Sequence, residues 1–326
     1  MGGIDSMRAL VMGAGAVGLG LASGLRAGGT AVAIVGREAT VRALREKGLR
    51  RTGVLGEASH APGEIEATET LAALAGPAAD FVLVTTKSFD VEAAARALAA
   101  RPEVAAPGAP VVLCQNGWGH ADAPAALLGR ERVFCGRVIT GFRRPAPGHV
   151  EVTVHAEPIR VGSLFGGEAA RVAPLCAALA RGGIPCEPSE DVATDLLAKL
   201  LYNNTLNPLG AILGLTYGAL AEQEAGRALL GAIARETFAA IRAAGLATHW
   251  PSADAWLEDF YTRLLPPTAA HESSMLQDLR AGRPTEIDAI SGAVVRLAEA
   301  HGVAAPVSRA LLAMVRMLEA RGGGSR

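Results

Sequence analysis

The sequence predicts an α/β half followed by an all-α half, and three observations carry that prediction. A glycine run, Gly13-Ala14-Gly15-Ala16-Val17-Gly18, stands between a short apolar run and a helical one. Short β-branched runs then alternate with helical stretches as far as Cys186. From about Ser189 only helical patterns remain.

Arg8 to Met12 (RALVM) is expected to be a buried strand, and Leu19 to Ala27 the helix behind the glycine run, closed by Gly28-Gly29. A second strand is expected at Ala31 to Val35, and Gly36-Arg37 follows it directly. This strand–glycine loop–helix–strand order is that of a dinucleotide-binding, Rossmann-type unit. Gly13 makes the tight turn, Gly15 lets a pyrophosphate approach the backbone, and Gly18 lets helix and strand pack closely. With Ala14, Ala16 and Val17 they are the candidate cofactor contacts, because the helix start offers its N–H groups to phosphate. An acid after the second strand would hold the ribose 2′-OH of NAD. Arg37 instead offers a guanidinium to the 2′-phosphate of NADP, with Glu38 beside it. The plain alternative for Arg37 is a solvated surface arginine.

Further strands are expected at Phe81 to Thr85, Pro110 to Cys114 and Val133 to Val138, with a helix from about Ser88 to Ala100. Ligands of such sheets bind at the carboxyl ends of the strands. Gly15, Arg37, Lys87 and Asn116 all fall at those ends. His149 to His155 alternates (HVEVTVH) and Pro158 to Val161 is a second short run. Both are expected as antiparallel strands added to the sheet, before a helix over Gly167 to Gly182 and a last strand at Ile184 to Cys186.

The helical half is expected to hold helices at Asp191 to Gly214, Glu222 to Ala244, Ala253 to Leu265, Pro284 to His301 and Pro306 to Ala320. The Glu187-Pro188-Ser189 stretch is the expected boundary. It gives a Rossmann-type NADP-binding domain over 1–188 and a helical substrate and catalytic domain over 189–326, with the site in the cleft between.

Hydrophobic residues make up 50% of the 326, charged residues 19%, and the net charge is -1, so the core can be large and disorder is not expected. No long basic run points to nucleic acid or an anionic membrane surface. Cys114, Cys135, Cys176 and Cys186 have no C-x-x-C spacing. They are expected as small buried hydrophobes in a reducing compartment, with no metal site. The apolar stretch from Ala9 to Leu25 is rich in glycine and lacks a charged n-region, so it is expected as a nucleotide loop rather than a signal or membrane span. A cytoplasmic protein is expected, monomeric or homodimeric, with Met1 to Ser6 a frayed end.

The chemistry is concentrated in the first long helix. Lys199, Asn203 and Asn207 are spaced i, i+4, i+8 and fall within roughly an 80° arc. Leucines flank this polar stripe on both sides, and buried polar groups cost free energy unless paired. The carboxylate and carbonyl of a small ligand would pair with them; a solvated stripe is the alternative. Pro208 cannot donate to the helix ladder, so a kink and a freed carbonyl are expected there. A second cluster, Ser273 to Asp278 and Gly282 to Asp288, is ambiguous from chemistry alone. Ser274 with Gln277 matches a capping box, and Glu286 would sit in the first helical turn after Pro284.

Together these segments resemble the ketopantoate reductase (2-dehydropantoate 2-reductase) family over nearly the whole chain. The resemblance runs through the glycine loop, the Arg37 strand end and TTKSFD (Thr85 to Asp90). It continues in QNGWG (Gln115 to Gly119), KLLYNNTLNP (Lys199 to Pro208), SSMLQD (Ser273 to Asp278) and GRPTEIDAISG (Gly282 to Gly292). It implies reduction of ketopantoate to D-pantoate with NADPH, in pantothenate and coenzyme A biosynthesis. By position, Lys199 would donate the proton to the ketone oxygen, and Asn203 and Asn207 would hydrogen-bond substrate. Ser274 would hold its carboxylate. Lys87 and Asn116 would contact NADPH, Asn116 also lying near substrate, and Glu286 would border the cofactor and the lysine. One departure matters: Tyr217-Gly218 stands where some members carry a substrate-binding asparagine before a glycine. A different branched 2-keto acid is therefore an alternative substrate. A nucleotide-sensing regulator is the alternative of another class, although a sensor needs no proton donor.

Overall fold

The computed structural model describes residues 7–323, so the expectation for Met1 to Ser6 lies outside the described residues. The chain divides into two compact units, residues 1–115 with 120–192, and residues 116–119 with 193–326.

Among the described residues the first unit is built on twelve strands and five α-helices. The strands are β1 (Arg8–Met12), β2 (Ala31–Val35), β3 (Leu49–Gly53), β4 (Ala58–His60), β5 (Ile65–Thr68) and β6 (Phe81–Val84). They continue with β7 (Val111–Leu113), β8 (Val133–Arg137), β9 (Thr140–Ala146), β10 (His149–His155), β11 (Ile159–Gly162) and β12 (Cys186–Pro188). The helices are α1 (Ala16–Ala27), α2 (Glu38–Lys47), α3 (Val91–Ala99), α4 (Asp122–Leu128) and α5 (Ala173–Arg181).

Eight strands form the main sheet in the order β12-β11-β8-β7-β6-β1-β2-β5. The pairs from β8 through to β5 are parallel; β11 pairs antiparallel with β8 and parallel with β12, so these two strands run against the other six. The chain winds outward from β1 through β2, then returns to the other side of β1 with β6. That reversal is the switch point where open parallel sheets take their ligands. The central strands β6 and β7 are wholly buried, which is why their sequence is continuous aliphatic rather than alternating.

The alternating run His149 to His155 is a strand, but it does not join this sheet. It pairs in parallel with β3 and antiparallel with β9, in a separate four-stranded sheet β4-β3-β10-β9. α1 packs against both this small sheet and α5 while following β1, so it is buried nearly all round from Gly18 to Leu25. A helix enclosed on every side needs small apolar residues, and AVGLGLASGLRA supplies them. The last strand lies two residues later than expected, at Cys186–Pro188, because Ile184 closes the α5 turn by donating to Leu179 O at 2.9 Å. All four cysteines are buried thiols outside any disulfide, and burial pushes the Cys135 thiol up to about 12.

The helical unit comprises α6 (Val192–Leu213, opening on the last residue of the first unit), α7 (Tyr217–Glu222) and α8 (Glu224–Ala243). It continues with α9 (Ala253–Asp259), α10 (Ser274–Arg280), α11 (Ser291–Ala300) and α12 (Pro306–Gly323). α6 serves two cores. Leu197, Leu200 and Ala211 pack with α11 and α12, while Leu201, Leu206 and Leu209 pack with Tyr217, Trp256 and Phe260. Helix α6 continues through Pro208 to Leu213 without a break. The N-terminus of α12 is capped from another helix: Glu236 of α8 accepts from Val307 N and Ser308 N, both at 2.8 Å. Among the described residues no helix is long and apolar enough to cross a membrane.

The α1–α5 crossing is set by backbone contact. A Cβ on Gly182 would fall on Gly24 O, yet the backbone there, at φ −82°, suits any residue. Gly182→Ala should therefore cost about 1–3 kcal/mol by overpacking alone, read as a lowered urea midpoint of the first unit. An unchanged midpoint would mean that the crossing yields freely.

Candidate active site

The glycine loop is strapped between its neighbouring strands. Gly13 N donates to Val35 O at 2.9 Å, Thr85 N to Met12 O at 2.8 Å, and Thr85 Oγ1 to Gly13 O at 2.7 Å. Gly13 takes φ +115°, and a Cβ there would lie 2.8 Å from Thr86 N. A Cβ on Gly18 would fall on Gly13 O, whereas Gly15 faces open space. Gly15 caps α1 without a side-chain hydrogen bond, and no acid stands in the first turn. The helix start through Ala16 and Val17 therefore keeps its N–H groups for an anion. At the ends of β6 and β7, Thr86 Oγ1 and Gln115 Oε1 are buried with no hydrogen-bond partner among the described residues. Gln115 is fixed by its amide, which donates to Val84 O at 2.8 Å and Thr86 O at 2.9 Å. Open backbone, uncapped N–H groups and two orphaned acceptors fit a dinucleotide.

Arg37 is the exposed N-cap residue of α2. Its neighbour Glu38 is turned to Arg42, 3.6 Å away one helical turn on. Lys87 is half-buried, three residues past β6. Asn116 and the rest of the QNGWG loop after Gln115 belong to the helical unit. There Asn116 Nδ2 donates to Glu286 Oε2 at 2.9 Å, and Trp118 N to Ala289 O at 3.0 Å. The structure thus joins two motifs far apart in sequence.

Three asparagines of α6 sort by their partners. Asn204 is fully buried and fully occupied: its amide donates to Thr237 Oγ1 at 2.8 Å and Ser308 Oγ at 3.4 Å, and accepts from Ser291 Oγ at 2.7 Å. It ties α6 to α8, α11 and α12. Asn207 is half occupied, because the Tyr217 hydroxyl donates to its Oδ1 at 2.7 Å. Asn203 is only 9% exposed, yet its amide bonds to no other described residue. Lys199 stands one turn before it, half-buried.

Two expectations need correction. The cap of α10 is Ser273, not Ser274: Ser273 Oγ accepts from Leu276 N at 3.1 Å and itself donates to Asn207 O at 3.4 Å. Gln277 turns to Glu272 O instead of closing a capping box, so Ser274 is left exposed as the first helical residue. Nor does Glu286 begin a helix. α11 starts at Ser291, and residues 286–290 form tight turns in which Glu286 O accepts from Ala289 N and Ile290 N, both at 3.1 Å. Glu286 is 7% exposed, so the Asn116 amide serves a carboxylate taken out of water rather than one solvated at a helix dipole.

The same segments decide the family. The model of the ketopantoate reductase PanE/ApbA family matches residues 9–165, and the model of its C-terminal part matches residues 191–319. The chain belongs to the ketopantoate reductase family. It is an oxidoreductase of the 2-dehydropantoate 2-reductase type. The 2-dehydropantoate 2-reductase of Aquifex aeolicus (strain VF5) is 33% identical over 315 residues, covering 96% of this chain and 97% of that relative. The crystal structure of a PanE/ApbA family ketopantoate reductase from Ralstonia eutropha JMP134 is 32% identical, with a TM-score of 0.83 over 97% of this chain and 99% of that one. A D-mandelate dehydrogenase solved with NADH and anilino(oxo)acetate shares the fold at a TM-score of 0.84 and 23% identity, over 97% of this chain and 99% of that one.

The structure shows what Tyr217 does. Its ring is buried, tilted against His271 with centroids 5.2 Å apart, and burial raises its phenol well above the usual range. Burial also lowers His271, which keeps that ring neutral near pH 7. Tyr217 therefore fixes Asn207 as a neutral donor. Sequence reasoning missed Asn204, Ser273 and this Tyr217–Asn207 pair. The i, i+10 spacing of the last across a helix break was the only available signal.

Stability should separate the adjacent asparagines. Asn204→Ala should cost about 3 kcal/mol, since it removes the acceptor of the buried Ser291 hydroxyl and the amide donor to Thr237 and Ser308. Asn203→Ala should stay within about 0.5 kcal/mol of wild type, because no partner among the described residues is lost. Urea unfolding of the two variants checks this, and equal losses would contradict the sorting.

Proposed function

We propose that the chain reduces the ketone of 2-dehydropantoate to D-pantoate with NADPH, as a cytoplasmic step of pantothenate and coenzyme A biosynthesis. One observation carries the reading. Asn203, a nine-tenths-buried residue whose amide has no hydrogen-bond partner among the described residues, stands one turn from Lys199 on α6. An amide in that state calls for a polar ligand, and a 2-keto acid offers a ketone and a carboxylate. The relatives named 2-dehydropantoate 2-reductase support the choice of keto acid.

The nicotinamide, when bound, supplies the hydride. The glycine loop, the α1 N-terminus and Arg37 would hold the dinucleotide, with Lys87 and Asn116 as further contacts and Glu286 at its border. As the keto carbon is reduced, charge builds on the oxygen. The Lys199 ammonium stabilises that charge and passes one proton from Nζ to the oxygen, giving the hydroxyl and a neutral amine. The amine then regains a proton from water. Asn203 and Asn207 donate to the substrate, and the exposed Ser274 hydroxyl meets its carboxylate. Tyr217 favours a second reading of the substrate alone. A phenol in place of an amide removes one polar contact, which suits a less hydroxylated branched 2-keto acid. Comparing NADPH oxidation with ketopantoate and with 2-oxoisovalerate decides between them.

Lys199→Ala should lower kcat by roughly 10²-fold or more, the scale of losing a general acid, while NADPH binding by fluorescence titration persists. Lys199→Arg should not restore the rate, since a guanidinium is a very weak acid. In the wild type kcat should fall at high pH as Nζ loses its proton. Near-normal turnover of Lys199→Ala with the wild-type pH profile would remove the lysine from the mechanism. Asn203→Ala and Ser274→Ala should raise KM for the keto acid and leave NADPH affinity alone. A parallel loss of NADPH affinity would place them elsewhere.

A further inference from the structure

Arg144 is a cation that the reaction described above does not use. It stands on β9, where its neighbour Arg143 pairs across the strands with Glu151 of β10, Nε to Oε2 at 2.9 Å. Alternation along the strand sends Phe142 and Arg144 to the opposite face. That face lies on α1, where the Phe142 ring fills the space left by Gly20. Beyond it, Arg144 Nη1 donates to Ala14 O at 3.3 Å and Thr40 Oγ1 at 3.1 Å.

Both acceptors are informative. Ala14 is the second residue of the glycine loop. Thr40 stacks one turn above Arg37, its N–H donating to Arg37 O at 3.0 Å. The loop and the end of β2 are in direct contact here, for a Cβ on Gly36 would fall on the Ala14 methyl. Arg144 therefore sits where the end of the second strand faces the glycine loop. That is where a dinucleotide of this fold places its adenosine ribose.

Its chemistry suits a phosphate. Nη1 carries two hydrogens, and two neutral oxygens take them. Nε–H and the Nη2 pair remain without an acceptor among the described residues. No carboxylate neutralises Arg144 among the described residues, and the nearby acid Glu38 is turned to Arg42. A guanidinium already held by two hydrogen bonds loses little freedom when an anion arrives.

We propose that Arg144 binds the adenosine 2′-phosphate together with Arg37, so that NADPH preference is shared between the end of β2 and the small second sheet. This rests on the NADPH reading given above. The test uses the full-length protein and two probes, adenosine 2′,5′-bisphosphate and 5′-AMP, titrated by calorimetry. Wild type should bind the bisphosphate more tightly than AMP. Arg144→Ala should weaken the bisphosphate about tenfold and leave AMP unchanged. Arg144→Gln keeps a polar N–H side chain but is shorter and carries no charge, and it should lose as much. Adding Arg37→Ala should bring the two probes level. If Arg144→Gln weakens both probes equally, or neither, Arg144 is a bracket for the loop and the proposal falls while the NADPH reading stands. A wild-type protein that binds both probes equally would overturn that reading and this inference with it.

Discussion

A polar group taken out of water must find a partner, and α6 is where this chain meets that demand most severely. The helix is wrapped by two apolar cores and still carries three asparagines within five positions. The fold settles each differently. Asn204 is satisfied by hydroxyls of α8, α11 and α12, and so becomes the polar pin of the helical unit. Asn207 is half satisfied by Tyr217. The Asn203 amide has no partner among the described residues, and the proposed substrate would be its partner. On the proposed function one helix is both scaffold and recognition surface, and the division follows hydrogen-bond satisfaction rather than residue type.

That division explains where sequence reading stops. The helix itself was legible, because a run of leucines broken by i, i+4, i+8 polar residues has few other solutions. The expected Asp191 to Gly214 became Val192–Leu213. Nothing in NNT, however, tells which asparagine is the pin, since its partners come from residues 237, 291 and 308. Ser273 and Ser274 pose the same problem at a finer scale. Either serine could cap, and the backbone turn that decides it depends on packing against α6.

The first unit gives a similar lesson. The central strands announced themselves through aliphatic content. β3, β4 and β5 did not, being short and carrying arginine, serine, histidine and glutamate. The alternation of β10 was plain, but its partners were not. Which strand lies beside another is a non-local choice, and β10 took β3, about a hundred residues earlier, as a parallel neighbour. The second sheet that results covers the helix behind the glycine loop, and so brings side chains of β9 to the nucleotide end.

The division of the chain between its units bears on how the molecule is made. After Gln115 the chain leaves the strand-built unit for four residues, Asn116–Gly119, and then returns to it. Two of those residues bond to a segment about 170 positions further on, where Glu286 receives the Asn116 amide and Ala289 the Trp118 N–H. During synthesis the parallel sheet can assemble while this excursion stays without its partner until the last helices have emerged. A chain ending short of Glu286 would therefore lack this hydrogen-bonded anchor for a loop in the first half of its sequence. Damage at the carboxyl end is in this way felt beside β7, without any strand being lost.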